Sequence, residues 1–228
     1  MRIAFYNDKQ RDWEIDWTQE APSPCSTSRP CPQNPAPRPS PLQLQPPPHG
    51  YDIRPARTPR QLAQALELVR RMYAWRGYSV TATLPAFDDP NRLTLVAWQA
   101  GEVAATLTIG RDSPDGLLAD ALYRDELGAL RARGRVVCEV TRLAVNPDLR
   151  SANLLGDLFK AALRFGQERF TASDVIVEIN PRHLNYYRRR YGFRQIGAIK
   201  PCPRVDAPAV LLHQATDGMH LAPRSPRR

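Results

Sequence analysis

Two charged residues, Glu139 and Arg142, lie inside one otherwise apolar run of the sequence, residues 137–145, with Thr141 between them. Burying a carboxylate costs several kcal/mol unless it is paired or has a chemical role. Glu139 is therefore a candidate base, acting directly or through water, and the planar fork of Arg142 suits a carboxylate. The alternative is that Glu139 pairs with a nearby arginine such as Arg142. Strand alternation predicts that Glu139, Thr141 and Leu143 share one face, opposite Val140, Arg142 and Ala144.

A second group of chemically capable residues follows a short apolar run at 175–179. Asn180 and His183 come where a strand ends, and active-site loops of open α/β sheets gather at such ends. His183 could act in catalysis or substrate binding, or it could cap the helix that begins there. The hydroxyl of Tyr187 is a candidate general acid. An equally good interpretation is that Tyr187 is an aromatic residue of the core, and Tyr186 could likewise have only a packing role.

Apolar periodicity predicts the elements that hold these residues, in the order β-α-β-β-(α)-β-α-β-α-β-β. The predicted strands are residues 51–55, 93–99, 103–109, 135–145, 175–179, 193–199 and 209–213. The predicted helices run from Pro59 to Gly77, from Asp120 to Arg133, from Ser151 to Phe170 and from Arg182 to Tyr191.

This order is that of the GNAT acyltransferase fold, and three motifs sharpen the resemblance. Glu-Val-Thr-Arg-Leu-Ala-Val at 139–145 resembles the Glu-x-Ser/Thr-Arg strand of the autoinducer synthases. Ile-Asn-Pro-Arg-His at 179–183, continuing to Tyr-Gly-Phe at 191–193, and Asp-Ala-Pro-Ala-Val-Leu at 206–211 resemble the N-acyl amino acid synthases of the FeeM type. Residues 72–78 and 131–145 are also similar to that family.

The resemblance implies an α/β (α+β) fold of the GNAT type, with a mixed central sheet of six to seven strands flanked by helices, over residues 51–214. It implies an N-acyltransferase that moves a fatty acyl group from acyl carrier protein, or from acyl-CoA, to the amine of a free amino acid. Together with the residue chemistry, it gives three sets of expected site residues. They are Glu139, His183 and Tyr187 for catalysis; Thr141, Arg142 and Asn180 for the substrate; and Leu143, Val145, Arg150, Ser151, Ala152 and Asn153 for the acyl donor.

The chain departs from the common acetyl-CoA enzymes where the long strand turns into its helix. Those enzymes carry glycines there, which let backbone N–H groups close on a pyrophosphate. Here the run is Arg-Ser-Ala-Asn-Leu-Leu at 150–155, without glycine. A helix start still suits the single phosphate of a phosphopantetheine arm, which favours a carrier protein as donor.

The charge balance agrees with an acidic partner. Lys and Arg number 32 against 23 Asp and Glu, a net charge of +9, and arginines cluster at 182–194 and at 54–76. A basic surface also suits nucleic acid, but the sequence has no zinc, helix-turn-helix or RNA-recognition pattern. Acidic acyl carrier protein is therefore the expected partner, and a nucleic-acid-binding module is an alternative.

A second enzymatic alternative is an acyl-homoserine-lactone synthase, which the strand at 139–142 permits. The segments at 180–183 and 206–210 argue against it. The four cysteines form no CxxC pair, so neither a metal nor a permanently bound cofactor is expected.

The ends of the chain differ in composition from its middle. Residues 22–48 are rich in proline, so residues 1–50 are predicted to be a disordered arm, and residues 215–228 a basic flexible tail.

No stretch approaches the roughly 20 apolar residues of a membrane helix, and Met1 to Trp17 lacks the apolar run of a signal peptide. A cytoplasmic location is the expectation.

Overall fold

The computed structural model of the chain describes residues 50–78, 84–149, 151 and 153–216, and the backbone of two short strands before them. Those strands, β1 (Tyr6–Asn7) and β2 (Asp12–Trp13), pair antiparallel within a first unit, Met1–Gln45. The second unit, Pro46–Arg228, holds every other element. The expectations for the rest of the proline-rich arm and for residues 217–228 of the tail concern positions outside the described residues.

The described residues of the second unit form eight strands and four α-helices. The strands are β3 (Asp52–Pro55), β4 (Arg92–Gln99), β5 (Glu102–Arg111), β6 (Val137–Val145), β7 (Asp174–Ile179), β8 (Arg194–Gln195), β9 (Lys200–Cys202) and β10 (Ala207–Ala215). The helices are α1 (Pro59–Trp75), α2 (Asp120–Arg131), α3 (Leu154–Phe170) and α4 (Leu184–Tyr191).

The strands form one mixed sheet in the order β3-β4-β5-β6-β7-β10-β8, with β9 paired to the start of β10. All neighbours are antiparallel except β6 and β7. This confirms the predicted mixed sheet of six to seven strands flanked by helices, to which β9 adds an eighth strand off the main path.

The parallel contact between β6 and β7 is short. Residues 137–140 of β6 pair with residues 174–177 of β7, and β6 then continues to Val145 without further partners in β7. Beyond Val140 the facing edges of these strands therefore have backbone groups that the other strand does not use.

Helices cover both faces of the sheet. On one face, α3 and α4 pack on an apolar core that includes Leu107, Val140, Val177 and Leu212. On the other face, α1 packs on Val96 and Ala144, whereas α2 packs on Val137, Ile176 and Leu211. The polar side chains of the sheet interior lie on the face that α1 and α2 share.

Two predicted elements differ from the structure in detail. The strand expected at 193–199 is shortened to β8, and β9 follows only after its expected end; between the two, Gly197 lies against the ring of Tyr123, whose hydroxyl donates to the carbonyls of Ala198 and Ala209. The helix expected from Arg182 starts with a 3-10 turn, Pro181–His183, before α4 begins at Leu184. None of the helices in the described ranges is long and apolar enough to cross a membrane.

A buried ionic network fixes the amino end of β7. Asp174 binds His213 Nε2 at 2.6 Å and the guanidinium of Arg135, which also donates to the carbonyl of Ser173 at 3.1 Å. The hydrogen bonds from Arg135, Ser173 and His213 hold the pKa of Asp174 below its usual value, although burial opposes them. This network lies at the end of the parallel strands opposite to Asn180.

Candidate active site

A β-bulge in β6 positions Arg142. The pairing with β5 shifts register between Thr106 and Thr108, and Arg142 has φ +52°, a left-handed conformation that L-residues rarely adopt. The bulge reverses the alternation of the strand, so Leu143 and Val145 pack towards α3 and Ala144 towards α1. The expectation that Leu143 shares the face of Glu139 is therefore wrong, because alternation presumes a regular strand.

Glu139 is buried, with only 3% of its surface exposed, and both of its carboxylate oxygens accept backbone hydrogen bonds. Leu118 N donates to Oε2 at 2.8 Å and Ala119 N donates to Oε1 at 3.0 Å. Ala119 caps the amino end of α2, where free N–H groups and the helix dipole favour an anion. The predicted alternative, an ion pair with Arg142, does not form.

Burial nevertheless dominates the proton affinity of Glu139. It raises the pKa of this carboxyl to about 7, against the lowering effect of the two backbone donors. A carboxyl with such a pKa is partly ionised at neutral pH and can accept a proton there, which is what a general base requires.

A small cavity of about 10 Å³ joins Glu139 to the neighbouring polar side chains. This volume is near the minimum of about 10 Å³ that holds one water molecule. The lining residues are Arg92, Thr108, Gly110, Gly116, Leu117, Leu118, Glu139, Thr141 and Arg142.

The guanidinium of Arg142 donates to Thr141 Oγ1 at 3.3 Å, and no carboxylate of the described residues lies within ion-pair distance of it. Burial lowers the pKa of Arg142, and Glu139 and Tyr73 oppose this effect. Burial also raises the pKa of Tyr73, on α1, to about 12 while Arg142 lowers it. The site therefore offers a partly desolvated cation that can bind a carboxylate from outside the chain.

An ion pair between Arg204 and Glu178 lies beside Glu139. Arg204 Nη2 lies 2.6 and 2.7 Å from the two carboxylate oxygens of Glu178, and Nη1 donates to the carbonyl of Leu118 at 2.7 Å. The same residue, Leu118, donates its N–H to Glu139.

Tyr187 lies away from this cavity, in an aromatic cluster on the α3 face. Its ring makes edge contacts with those of Phe159, Tyr186 and Phe193, with centroids 5.7 to 5.8 Å apart. Burial raises the pKa of Tyr187, so the hydroxyl keeps its proton at neutral pH. A protonated hydroxyl is the form that a general acid needs.

Asn180 and His183 also lie outside the cavity lining. Asn180 Oδ1 accepts the N–H of Arg182 at 3.2 Å and so caps the 3-10 turn, whereas His183 occupies the N-cap position of α4 without a side-chain cap hydrogen bond. His183 Nε2 accepts from Arg182 Nε at 3.2 Å.

On the predicted donor side, Leu143 and Val145 pack against the apolar core beneath α3. Ser151 is exposed, and Asn153 is the N-cap of α3, without a side-chain hydrogen bond to the helix. Arg150 and Ala152 lie outside the described residues. The guanidinium of Arg190 approaches the first turn of α3, since a Cβ on Gly156 would lie 3.5 Å from it.

Several residues of the site were not identified from the sequence. Arg92, Thr108 and the loop at 116–118 join the cavity through strand pairing and loop packing, which no local pattern shows. One signal was available: Thr94, Thr106 and Thr108 lie in otherwise apolar strands, and buried hydroxyls in such strands mark a polar interior. No group of three or more potential metal ligands occurs among the residues that the structure describes.

Similarity to known proteins identifies the family of this chain. The family model described as N-acyl amino acid synthase FeeM matches residues 64–215. The structure of FeeM, an N-acyl amino acid synthase from uncultured soil microbes, superposes with a TM-score of 0.69 at 27% identity, covering 74% of this chain and 93% of that one.

More distant matches share the fold. An acyl-CoA N-acyltransferase from Pseudomonas aeruginosa has a TM-score of 0.50 at 18% identity, covering 72% of this chain and 99% of that one. Escherichia coli ElaA has a TM-score of 0.53 at 15% identity, with the same coverage of 72% and 99%. No curated protein sequence is similar enough to count as a match. The chain therefore belongs to the FeeM family of N-acyl amino acid synthases, and it is an acyltransferase with the GNAT fold.

Proposed function

We propose that this N-acyltransferase joins a fatty acyl group, carried as a phosphopantetheine thioester on acyl carrier protein, to the amine of a free amino acid. The observation that carries the proposal is the cavity that Glu139, Arg142 and Arg92 line together. An amino acid has the complementary pair of groups, an amine and a carboxylate, on one carbon atom.

In this proposal Arg142 binds the carboxylate of the acceptor, with Arg92 as a second cation and Thr141 as a hydroxyl partner. Two observations support it: the partial burial of Arg142, and the absence of a carboxylate partner for it among the described residues. Charge-assisted hydrogen bonds of this kind contribute about 1.5–3 kcal/mol. The amine of the acceptor then lies towards Glu139.

The proposed reaction is a single acyl transfer. The neutral amine attacks the thioester carbonyl, so that a C–N bond forms and the C–S bond breaks. Glu139 accepts the proton of the amine, directly or through one water molecule, for which the cavity has about the necessary volume. The leaving thiolate takes up a proton.

Tyr187 is the proposed donor of that proton. Burial keeps the hydroxyl protonated at neutral pH, the form that a proton donor must have, although the raised pKa makes Tyr187 a weak acid. We assign Asn180 and His183, at the carboxyl end of β7, to the donor side rather than to proton abstraction. The position of Asn180 and His183 outside the lining of the cavity that holds Glu139 supports this assignment.

The donor arm is proposed to enter where β6 and β7 part. Backbone groups beyond Val140 are not paired with β7, and amide groups of a pantetheine arm can bond such an edge. Leu143 and Val145 supply apolar contact, and the proposed donor contacts Arg150, Ser151, Ala152 and Asn153 precede α3 in the sequence. That helix end and Arg190 together favour a phosphate group.

An exposed arginine surface supports the carrier protein as donor. Arg182, Arg188, Arg189, Arg190 and Arg194 are all exposed. Arg182 Nη2 reaches Tyr78 Oη at 3.4 Å, whereas Arg190 lies over the first turn of α3. The cluster therefore extends from the residues that follow α1 to the start of α3, and it suits an acidic protein better than a single small anion.

The direct test supplies the purified protein with acylated carrier protein, with acyl-CoA of the same chain length, and with each of the standard amino acids. Mass spectrometry should detect an N-acyl amino acid, formed faster from the carrier protein. Failure to form such a product with any amino acid, across medium and long acyl chains, would contradict the proposal. A lactone product would instead support the acyl-homoserine-lactone alternative.

The arginine surface gives a separate prediction. Replacing Arg188 and Arg189 with glutamate should raise KM for the acylated carrier protein about tenfold or more, since each altered contact with an acidic partner contributes of the order of 1 kcal/mol. KM for acyl-CoA should change little. Steady-state kinetics at two salt concentrations measure both effects, because screening weakens the carrier interaction in the parent protein.

Arg164 and Arg169 provide the matched control. Both are exposed on α3, well beyond its first turn. Their replacement with glutamate makes the same change in net charge, so an equal loss of carrier affinity in this variant would show that charge alone, and no defined surface, is responsible.

A further inference from the structure

We propose that the ion pair between Arg204 and Glu178, named here the latch, positions the Glu139 carboxylate for proton transfer by holding the 116–119 loop. The inference rests on the proposed function, in which Glu139 is the base. Arg204 and Glu178 are positioning residues in this view, since neither lines the cavity that contains Glu139.

A short chain of contacts links the latch to Glu139. Arg204 Nη1 donates to the carbonyl of Leu118, and Leu118 N donates in turn to Glu139 Oε2 at 2.8 Å. Ala119 N completes the contact with Oε1. A displacement of Leu118 would therefore move one of the two donors that orient the carboxylate.

The other end of the loop is fixed independently. Asp120 Oδ2 accepts Leu117 N at 2.7 Å, and Arg131 binds Asp120 and Asp112 with distances of 2.7 to 2.9 Å. Loss of the latch should therefore release the Leu118 side of the loop while α2 and Asp120 keep their places. The latch is a polar contact that joins this loop to β7 and to the turn between β9 and β10, beside the apolar packing of Leu117 and Ala119 in the cluster that contains Ile176.

The latch also carries charge beside Glu139. The positive charges that face Glu139 are Arg204, from the turn after β9, Arg142 on β6 and Arg92 on β4; the negative charge is Glu178 on β7. Glu178 raises the pKa of Glu139 and Arg204 lowers it. The two halves of the latch thus act on the base in opposite directions.

The opposite effects of Arg204 and Glu178 on the pKa of Glu139 can be tested by replacing each residue in turn. In Arg204→Gln the unpaired Glu178 and the released loop both favour the protonated base, so the midpoint of the kcat/KM–pH profile should rise by about one pH unit. In Glu178→Gln the midpoint should fall, because the negative charge is removed while Arg204 keeps its own charge and its hydrogen bond to the carbonyl of Leu118. A carbon-13 NMR titration of the Glu139 carboxyl, assigned by its absence in Glu139→Gln, should show the same two shifts without relying on turnover.

Arg135→Gln is the matched control. Arg135 resembles Arg204 in exposure, at 30% against 33% of the side chain, and it also bridges a carboxylate and a backbone carbonyl. It lies at the opposite end of β7, so this variant should lose stability and keep the midpoint.

Each outcome decides a different point. Midpoints in both latch variants that equal that of the parent, in kinetics and in NMR, would overturn the latch. A parent kinetic profile without a midpoint near that of Glu139 in NMR would overturn the assignment of Glu139 as base, and the proposal that rests on it. Opposite shifts in the two variants, beside an unchanged Arg135→Gln midpoint, would establish it.

Discussion

Replacing Glu139 with glutamine should lower kcat/KM for N-acyl transfer by about 10² to 10⁴, the usual contribution of a positioned general base. An amide cannot accept the proton of the attacking amine. Its NH₂ group would also face one of the two backbone donors, Leu118 N or Ala119 N, that now bond the carboxylate. Steady-state rates with saturating acyl donor, at several pH values, measure the loss.

The pH profile of the parent protein tests the same assignment without a mutation. Burial raises the pKa of Glu139 to about 7. The active form is the carboxylate, so kcat/KM should rise with pH through about 7 and level off above it. A profile that is flat across neutral pH, or a glutamine variant with nearly full activity, would contradict Glu139 as the base.

The raised pKa of Glu139 also makes the stability of the protein depend on pH. Because the folded-state pKa is above that of the unfolded chain, Glu139 contributes stability below the unfolded pKa, near 4.5, and this contribution is lost as pH rises through about 7. The charged form that catalysis uses is thus the form that folding disfavours.

Replacing Arg142 with glycine should raise KM for the amino acid acceptor by about 10- to 100-fold, because charge-assisted bonds worth about 1.5–3 kcal/mol are lost. Unlike most changes that remove a half-buried side chain, it should not reduce the free energy of unfolding. Arg142 has φ +52°, where an L-residue is strained by about 1–2 kcal/mol and glycine is not. Kinetics with a varied acceptor, together with thermal unfolding, test both statements.

A decarboxylated analogue of the acceptor separates binding from other effects. The parent protein should use this amine poorly, whereas the glycine variant should discriminate much less between the two acceptors. Ala100→Gly is the control, since Ala100 has φ +49° in the turn between β4 and β5, outside the cavity lining. It should gain stability and keep its acceptor KM. An unchanged acceptor KM in Arg142→Gly would remove Arg142 from the acceptor site.

The sequence predicted the order of the elements because each is encoded locally. The apolar period of α3 and the alternation of β4 and β5 depend on residues a few positions apart. The resemblance of residues 139–145 to a known strand likewise brought Glu139, Thr141 and Arg142 forward, and all three line one cavity.

The surroundings of those residues could not be predicted in the same way. The bulge at Arg142 arises from pairing with β5, so the alternation inferred from β6 alone failed after Thr141. The donors to Glu139 come from 20 and 21 residues earlier in the chain, and Arg204 reaches Leu118 across 86 positions. Contacts at such separations leave no local period, and they define the partners of the base.

The short parallel contact between β6 and β7 divides the sheet into two antiparallel pieces that are successive parts of the chain, one ending at Val145 and the other beginning at Asp174. Glu139, Arg142 and Arg92 belong to the first piece, whereas Glu178 and Arg204 belong to the second. During synthesis on the ribosome, the first piece emerges with its base before the residues that complete the surroundings of that base exist. Competence for catalysis should therefore be among the last properties that the growing chain acquires, once β7 and β10 have been added to the sheet.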